Sequence, residues 1–186
     1  MSKFFEYLNN IKLMQFPELR QAYDYDCGIS CFQGVLFYYG FQPREYDLVK
    51  ELNVDPKIGV EPLAIIKAAP RFDLMAVGRE NMTVDDLKKN VDNGVPTLLI
   101  VQAWPDETVD WANEYEWSHY VVAIGYDDKN IYFEDPASTI RTWLTFEELN
   151  RRWHTYVDQE RKVQHYGISI FGKESDYNHW NLEHMD

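Results

Sequence analysis

The stretch Gln21-Ala22-Tyr23-Asp24-Tyr25-Asp26-Cys27-Gly28 runs directly into Ile29-Ser30-Cys31-Phe32-Gln33-Gly34-Val35-Leu36-Phe37-Tyr38-Tyr39-Gly40. In the second part Ile29, Phe32, Leu36 and Tyr39 recur at steps of three and four residues, the period of a helix with one buried face. The helix is predicted to start at or just before Cys27, with Asp24 or Asp26 as its cap. It is predicted to stop at Gly40, because glycine takes up the left-handed conformation that ends helices. A thiol in the first turn of a helix faces backbone N–H groups without acceptors and the positive end of the helix dipole. Both favour thiolate over thiol.

A thiol nucleophile needs a base, and the chain supplies a candidate far downstream. Residues 117–126, Trp-Ser-His-Tyr-Val-Val-Ala-Ile-Gly-Tyr, read as a buried strand with His119 near its start. The polar turn Asp127-Asp128-Lys129-Asn130 leads to an antiparallel partner at 131–134, which ends at Asp135-Pro136. Such a hairpin is expected to bring His119 and Asp135 together. Asp135 then accepts a hydrogen bond from one imidazole nitrogen and fixes the tautomer, while the other nitrogen pairs with Cys27. Gln21 is placed to offer its side-chain amide to a developing oxyanion, beside the backbone N–H of Cys27. Taken singly, Cys27 reads as a core residue, His119 as a satisfied buried histidine and Asp135 as the opening of a turn. Their ordered appearance favours the catalytic reading.

In that order the residues resemble the bacteriocin-processing, double-glycine leader peptidase family and its standalone relatives, which are papain-like cysteine peptidases. The resemblance runs from about Gln21 to the strand near Phe171 and rests on Gln21, Asp26-Cys27-Gly28, Tyr38-Tyr39-Gly40, His119 and Asp135-Pro136. It implies an α+β papain-like fold and a cysteine peptidase or amidase working through a thioester acyl-enzyme on Cys27, with no cofactor. Two features depart from the family. Ser30 stands where a small apolar residue is usual, and residues 104–117 are longer than in the bacteriocin peptidases. Bacteriocin-processing members are typically fused to a transporter, so a standalone chain implies a different substrate. A thiol-dependent acyl or peptidyl transferase on the same site, and a catalytically silent peptide-binding module, are the alternatives.

Residues 104–117 carry five carboxylates (Asp106, Glu107, Asp110, Glu114, Glu116) and four large rings (Trp104, Trp111, Tyr115, Trp117) just before the proposed base. As a loop overhanging a cleft they would draw in a basic substrate and supply ring contacts from Trp104, Trp111 and Trp117. As a solvated surface loop they would do neither. Asp24 and Tyr23 either touch substrate or shape the turn before the helix.

Elsewhere the chain reads as helices at 46–52 and 60–69, a strand at 74–77, a helix at 83–91 capped by Thr83, a turn at 93–96 and a buried strand at 97–102. The helical half precedes a β half, an α+β layout with helices packed on a C-terminal antiparallel sheet. The 186 residues are expected to form one domain, with its core at about 17–172 and a tail at 173–186 whose acidic end, 183–186, frays. No repeats or low-complexity linkers divide it.

A hydrophobic content of 45% with 16% aromatic residues predicts a core packed largely by rings. The start Met1-Ser2-Lys3-Phe4-Phe5-Glu6-Tyr7 lacks a signal core, and no apolar run reaches membrane-span length, so a cytoplasmic location is expected. A net charge of −13 argues against nucleic acid or an anionic membrane as partner and leaves a peptide or small amide, possibly basic, as substrate. Arg151, Arg152, Arg161 and Lys162 read as solvated charges near the end of a helix at 145–153, and His154 as its surface end in preference to a place lining a cleft. Cys31 reads as core, with no disulfide to Cys27. His165, His179 and His184 have no metal-ligand spacing, so no metal is expected.

Overall fold

The structure, a computed structural model, describes residues 10–105, 108–158, 160–182 and 184–185. Asp106, Glu107, Glu183, Asp186 and the first nine residues, named in the expectations above, lie outside the described residues.

The organising element is α1, Cys27–Tyr38. Its residues Ile29, Phe32, Val35 and Leu36 are fully buried, each burial being worth about 1.5–3 kcal/mol. The helix ends as the sequence predicts. Gly40 adopts φ +82°, its N–H donates to Phe37 O and that of Phe41 to Leu36 O, the paired bonds of a Schellman stop. The start differs from the expectation for Asp26. It occupies the N-cap position, but its side chain makes no cap bond to the helix; the carboxylate turns backward to the N–H groups of Ala22 and Tyr23.

Two short helices follow, α2 (Glu45–Glu51) and α3 (Pro62–Ala68), the latter continued by a 3-10 turn at Ala69–Phe72. A strand at Met75–Arg79 (β2) and helix α4 at Val84–Asp92 come next, and Thr83 caps α4 in a reciprocal box with Asp86.

The remaining strands are β3 (Thr97–Gln102), β4 (Ser118–Tyr126), β5 (Asn130–Glu134), β6 (Thr142–Thr145), β7 (His154–Val157), β8 (Arg161–Gln164) and β9 (Gly167–Phe171). Helix α5, Phe146–Arg152, lies between β6 and β7 and is capped by Thr145. A short β1, Lys12–Leu13, adds to β4. The main antiparallel sheet has the order β2-β9-β3-β4-β5-β6, with β1 on β4; β7 and β8 form a separate hairpin. The fold is α+β, as expected.

One face of the sheet, with Tyr120, Val122 and Ile124 of β4, packs on α1, while Val121, Ala123 and Phe133 belong to a second cluster with Leu149 and Trp153. The alternation follows from the strand period of two. The core reaches beyond 17–172 at both ends, since Met14 and Phe16 are buried and Tyr177 packs against the first cluster. Among the described residues, no helix is long and apolar enough to cross a membrane.

Candidate active site

Cys27 is the first residue of α1, so its N–H is one of those left without an intrahelical acceptor. The helix approaches the sheet closely here. A Cβ on Gly28 would lie 2.4 Å from Val60 Cγ1 and 2.9 Å from Tyr120 Cδ2, so only glycine fits between the nucleophile and the walls around it.

His119 is the second residue of β4 and 7% exposed. Its Nε2 lies 2.7 Å from Asp135 Oδ1, and the ring also hydrogen-bonds the Cys27 side chain. With Nε2 held by Asp135, Nδ1 is the nitrogen left for the thiol. Burial works against a charged ring, yet the hydrogen bonds to Asp135 and Cys27 and the charges on both outweigh it and raise His119 to about 9. Burial likewise works against ionised Asp135, but the bond and charge of His119 hold its carboxyl below the ordinary value.

Asp135 is fixed from every side. Oδ1 also accepts the Ala137 N–H (3.0 Å), and Oδ2 accepts Trp104 Nε1 (3.2 Å) and Thr142 Oγ1 (3.2 Å). Four donors on one carboxylate define its orientation and, through it, that of the imidazole.

Gln21 is tied to the same corner. Its backbone N–H donates to Pro136 O (3.1 Å), while Arg20 reaches Asp135 O (3.3 Å). The side-chain Nε2 donates to Tyr23 O (3.0 Å), which leaves its second N–H for another acceptor. The structure therefore brings Cys27, His119 and Asp135 together from three separate stretches of the chain and ties the Gln21 backbone to Pro136, next to Asp135.

Cys27 opens on a cleft of about 730 Å³. Its walls include Tyr23, Tyr25, Val60, Glu61, Tyr115, Glu116, Tyr120 and Tyr156, with Asp24 and Lys57 at its charged rim. Tyr23 and Asp24 thus line the cleft as well as shaping the turn. Tyr120 is anchored by its hydroxyl on Val60 O (3.1 Å).

Residues 104–117 contribute differently from the expectation. Tyr115 and Glu116 line the cleft; Trp104, Trp111 and Trp117 do not. Trp104, 55% exposed and at φ +53°, turns its indole to Asp135. Trp111 is covered by the Arg152 guanidinium at 3.8 Å, and Trp117 extends the β3–β4 ladder by accepting the Ala103 N–H.

Of the basic residues read as solvated charges, Arg151, Arg161 and Lys162 are exposed and Arg152 is half-buried, and each also has a partner. Arg151 pairs with Asp110 (3.8 Å), Arg152 stacks on Trp111, Lys162 sits 4.1 Å over the Tyr115 ring, and Arg161 pairs with Glu80. Three of the four pin the segment before His119 to the body of the protein.

His154 is likewise not a surface helix end. It opens β7, is buried, bonds Glu114 O through Nε2 (2.6 Å), and supports the Tyr115 ring at 4.5 Å. The run of β-branched and aromatic residues Thr155-Tyr156-Val157 was the available signal for a strand, and Thr155 and Tyr156 both line the cleft. Cys31 is core, as expected. Its thiol is buried against Tyr120 O (3.4 Å), burial holds it well above the ordinary value, and both cysteines are free.

Residues 13–161 match the Peptidase_C39 like family, a span covering most of the chain. The chain belongs to that family. Solved structures with the same fold include a double-glycine motif protease from an AMS/PCAT transporter in complex with its leader peptide. It shares 20% identity over 85% of this chain and 92% of that one, with TM-score 0.62. A Bacillus anthracis structure described as a C39-like peptidase gives 21%, 85%, 95% and 0.64 in the same order. The peptidase domain of Streptococcus ComA, a bifunctional ABC transporter, gives 19%, 84%, 96% and 0.60. No curated protein is matched. Within this C39-like fold the papain-like arrangement holds, with the thiol at a helix start and the imidazole at a strand start.

Proposed function

We propose that this C39-like protein is a cysteine peptidase or amidase in which Cys27 forms a thioester acyl-enzyme. The observation that carries the reading is the His119 imidazole held between Asp135 Oδ1, at 2.7 Å, and the Cys27 side chain, at the edge of an open cleft. Cys27 gives its proton to His119, and the thiolate attacks the substrate carbonyl. The oxyanion formed is met by the Cys27 N–H and the second N–H of Gln21. Imidazolium His119 then protonates the leaving amine, and water, activated by the same ring, releases the acid. Asp135 orients the ring throughout.

The substrate is an extended peptide, with basic side chains favoured. Asp24, Glu61 and Glu116 line the cleft against the single cation Lys57, and none of these three carboxylates is in an ion pair among the described residues.

The test is a peptide library incubated with wild type, Cys27→Ala and Cys31→Ala, read by mass spectrometry. Cleavage by wild type and Cys31→Ala, with none by Cys27→Ala, is expected. Equal cleavage by Cys27→Ala would overturn the assignment. Amide products formed only with an added amine would assign acyl transfer in place of hydrolysis.

A further inference from the structure

Asp26 immediately precedes the nucleophile and is 1% exposed, yet only half of its carboxylate is accounted for. Oδ2 accepts the N–H groups of Ala22 (3.1 Å) and Tyr23 (3.0 Å), closing the loop that carries Gln21 toward Cys27. Oδ1 is buried and has no donor. A carboxylate oxygen removed from water without a donor is costly.

Facing Asp26 is the carboxyl of Glu45, the half-buried first residue of α2. Two ionised carboxylates in contact repel, and the arrangement is satisfied when one of them carries a proton. Burial first, then the hydrogen bond and charge of Asp26, raise Glu45 to about 7. Asp26 is the charged group that acts on it. Arg44 and Asp47 on its own helix and Asp24 on the loop are exposed, and among the described residues neither Glu45 nor Asp26 takes part in an ion pair.

We propose that Glu45 is a positioning residue for the nucleophile loop: its protonated carboxyl donates to the orphaned Oδ1 of Asp26, and the shared proton holds residues 21–27 in the geometry that presents Gln21 and Cys27 to the cleft. The proton is present below about pH 7 and is released to solvent as the pH rises through that value. The two carboxylates then repel and the loop loosens. The consequence for catalysis rests on the peptidase reading above; the lock itself does not.

The test is hydrogen exchange at the Ala22 and Tyr23 amides from about pH 5.5 to 8.5, corrected for the intrinsic base-catalysed rate. In wild type, protection is expected to fall about tenfold through neutrality. Glu45→Gln, whose amide donates at every pH, is expected to keep protection flat and high, and Glu45→Leu to be low throughout. Flat protection in wild type, or the same fall in Glu45→Gln, would overturn the proposal. The iodoacetamide rate at Cys27, measured on the same samples, reports on the peptidase reading separately. An inert Cys27 with the predicted exchange pattern would remove that reading and leave the lock standing.

Discussion

His119 Nε2 stands 2.7 Å from Asp135 Oδ1 because the pairing of β4 with β5 slips by one residue between them. Near the turn Tyr126 faces Ile131 and Gly125 faces Tyr132, whereas further on Ala123 faces Phe133 and Val122 faces Glu134. Ile124 is the residue left over. Carried one step on, the register sets Asp135 opposite Val121, two residues from His119 and therefore on the same face. Without the slip Asp135 would stand opposite Val122 and point to the other side of the sheet. A single β-bulge thus sets Asp135 on the same side of the sheet as His119.

Asp135→Ala should lower the His119 titration midpoint well below its value of about 9, because the bond and charge that oppose burial are lost. His119 is raised in the folded protein, so the stability it contributes is fully present below about 6.5 and is lost as pH rises through about 9. In the variant that loss moves to lower pH. Peptide turnover should fall by roughly 10³-fold, in line with losing the group that orients a catalytic base. Imidazole proton NMR against pH reads the first effect and steady-state kinetics the second. An unchanged His119 midpoint would mean that Asp135 is not its partner.

Much of this was legible in the chain. The α1 period, the Gly40 stop, the Thr83 cap and the strand at 97–102 are local patterns, set by burial and backbone conformation within a few residues. The proximity of Cys27, His119 and Asp135 was legible as well, because their types suit one chemistry. The bulge at Ile124 was not. A polar four-residue turn fixes the start of a hairpin but not a slip several residues away; at that slip β1 approaches so closely that a Cβ on Gly125 would meet Lys12 O at 2.6 Å. Nor was the partner of Asp26 legible. A carboxylate before a helix reads as a cap, and only the tertiary arrangement of Ala22, Tyr23 and Glu45 turns it the other way. Likewise the rings at 104 and 111 looked available for substrate until Asp135 and Arg152 were found to engage them.

Trp104 Nε1 donates to Asp135 Oδ2, so Trp104→Phe, which keeps an aromatic ring and removes the N–H, should lower kcat several-fold with little change in KM. Thr142 and Ala137 retain their bonds to the carboxylate, which limits the loss to one hydrogen bond to a charged group, about 1.5–3 kcal/mol at most. A substrate-contact role predicts the opposite split. A rise in KM at constant kcat would put Trp104 in the cleft after all.

Charge selection by the cleft should follow Glu61 and Glu116 rather than Asp110 of the acidic segment. Their carboxylates line it, whereas Asp110 is committed to Arg151 and to Asn113. The double variant Glu61→Gln with Glu116→Gln should raise KM for cationic peptides about 5–10-fold, an effect that shrinks with added salt. Asp110→Asn should leave it unchanged. Equal KM changes for cationic and neutral peptides would show that the carboxylates shape the cleft without selecting charge.

The hairpin that carries both His119 and Asp135 is held at its tip by Asp127. Oδ1 accepts the N–H groups of Lys129 (2.7 Å) and Asn130 (2.7 Å), and Oδ2 accepts Asn130 Nδ2 (3.0 Å) and the Tyr132 hydroxyl (2.7 Å). Burial works against the charge, but these donors prevail and depress the carboxyl to about 2. Asp127→Ala leaves the turn without its acceptor and should cost about 2–3 kcal/mol in urea unfolding at neutral pH. Because the folded value lies below the unfolded value of 3.8, the stabilisation is present above that value and is lost as pH falls toward 2. Wild type and Asp127→Ala should therefore converge in stability on acidification. A gap that stayed constant down to about pH 2 would mean that Asp127 supports the turn by shape alone and that its charge contributes nothing to the hairpin on which the site is built.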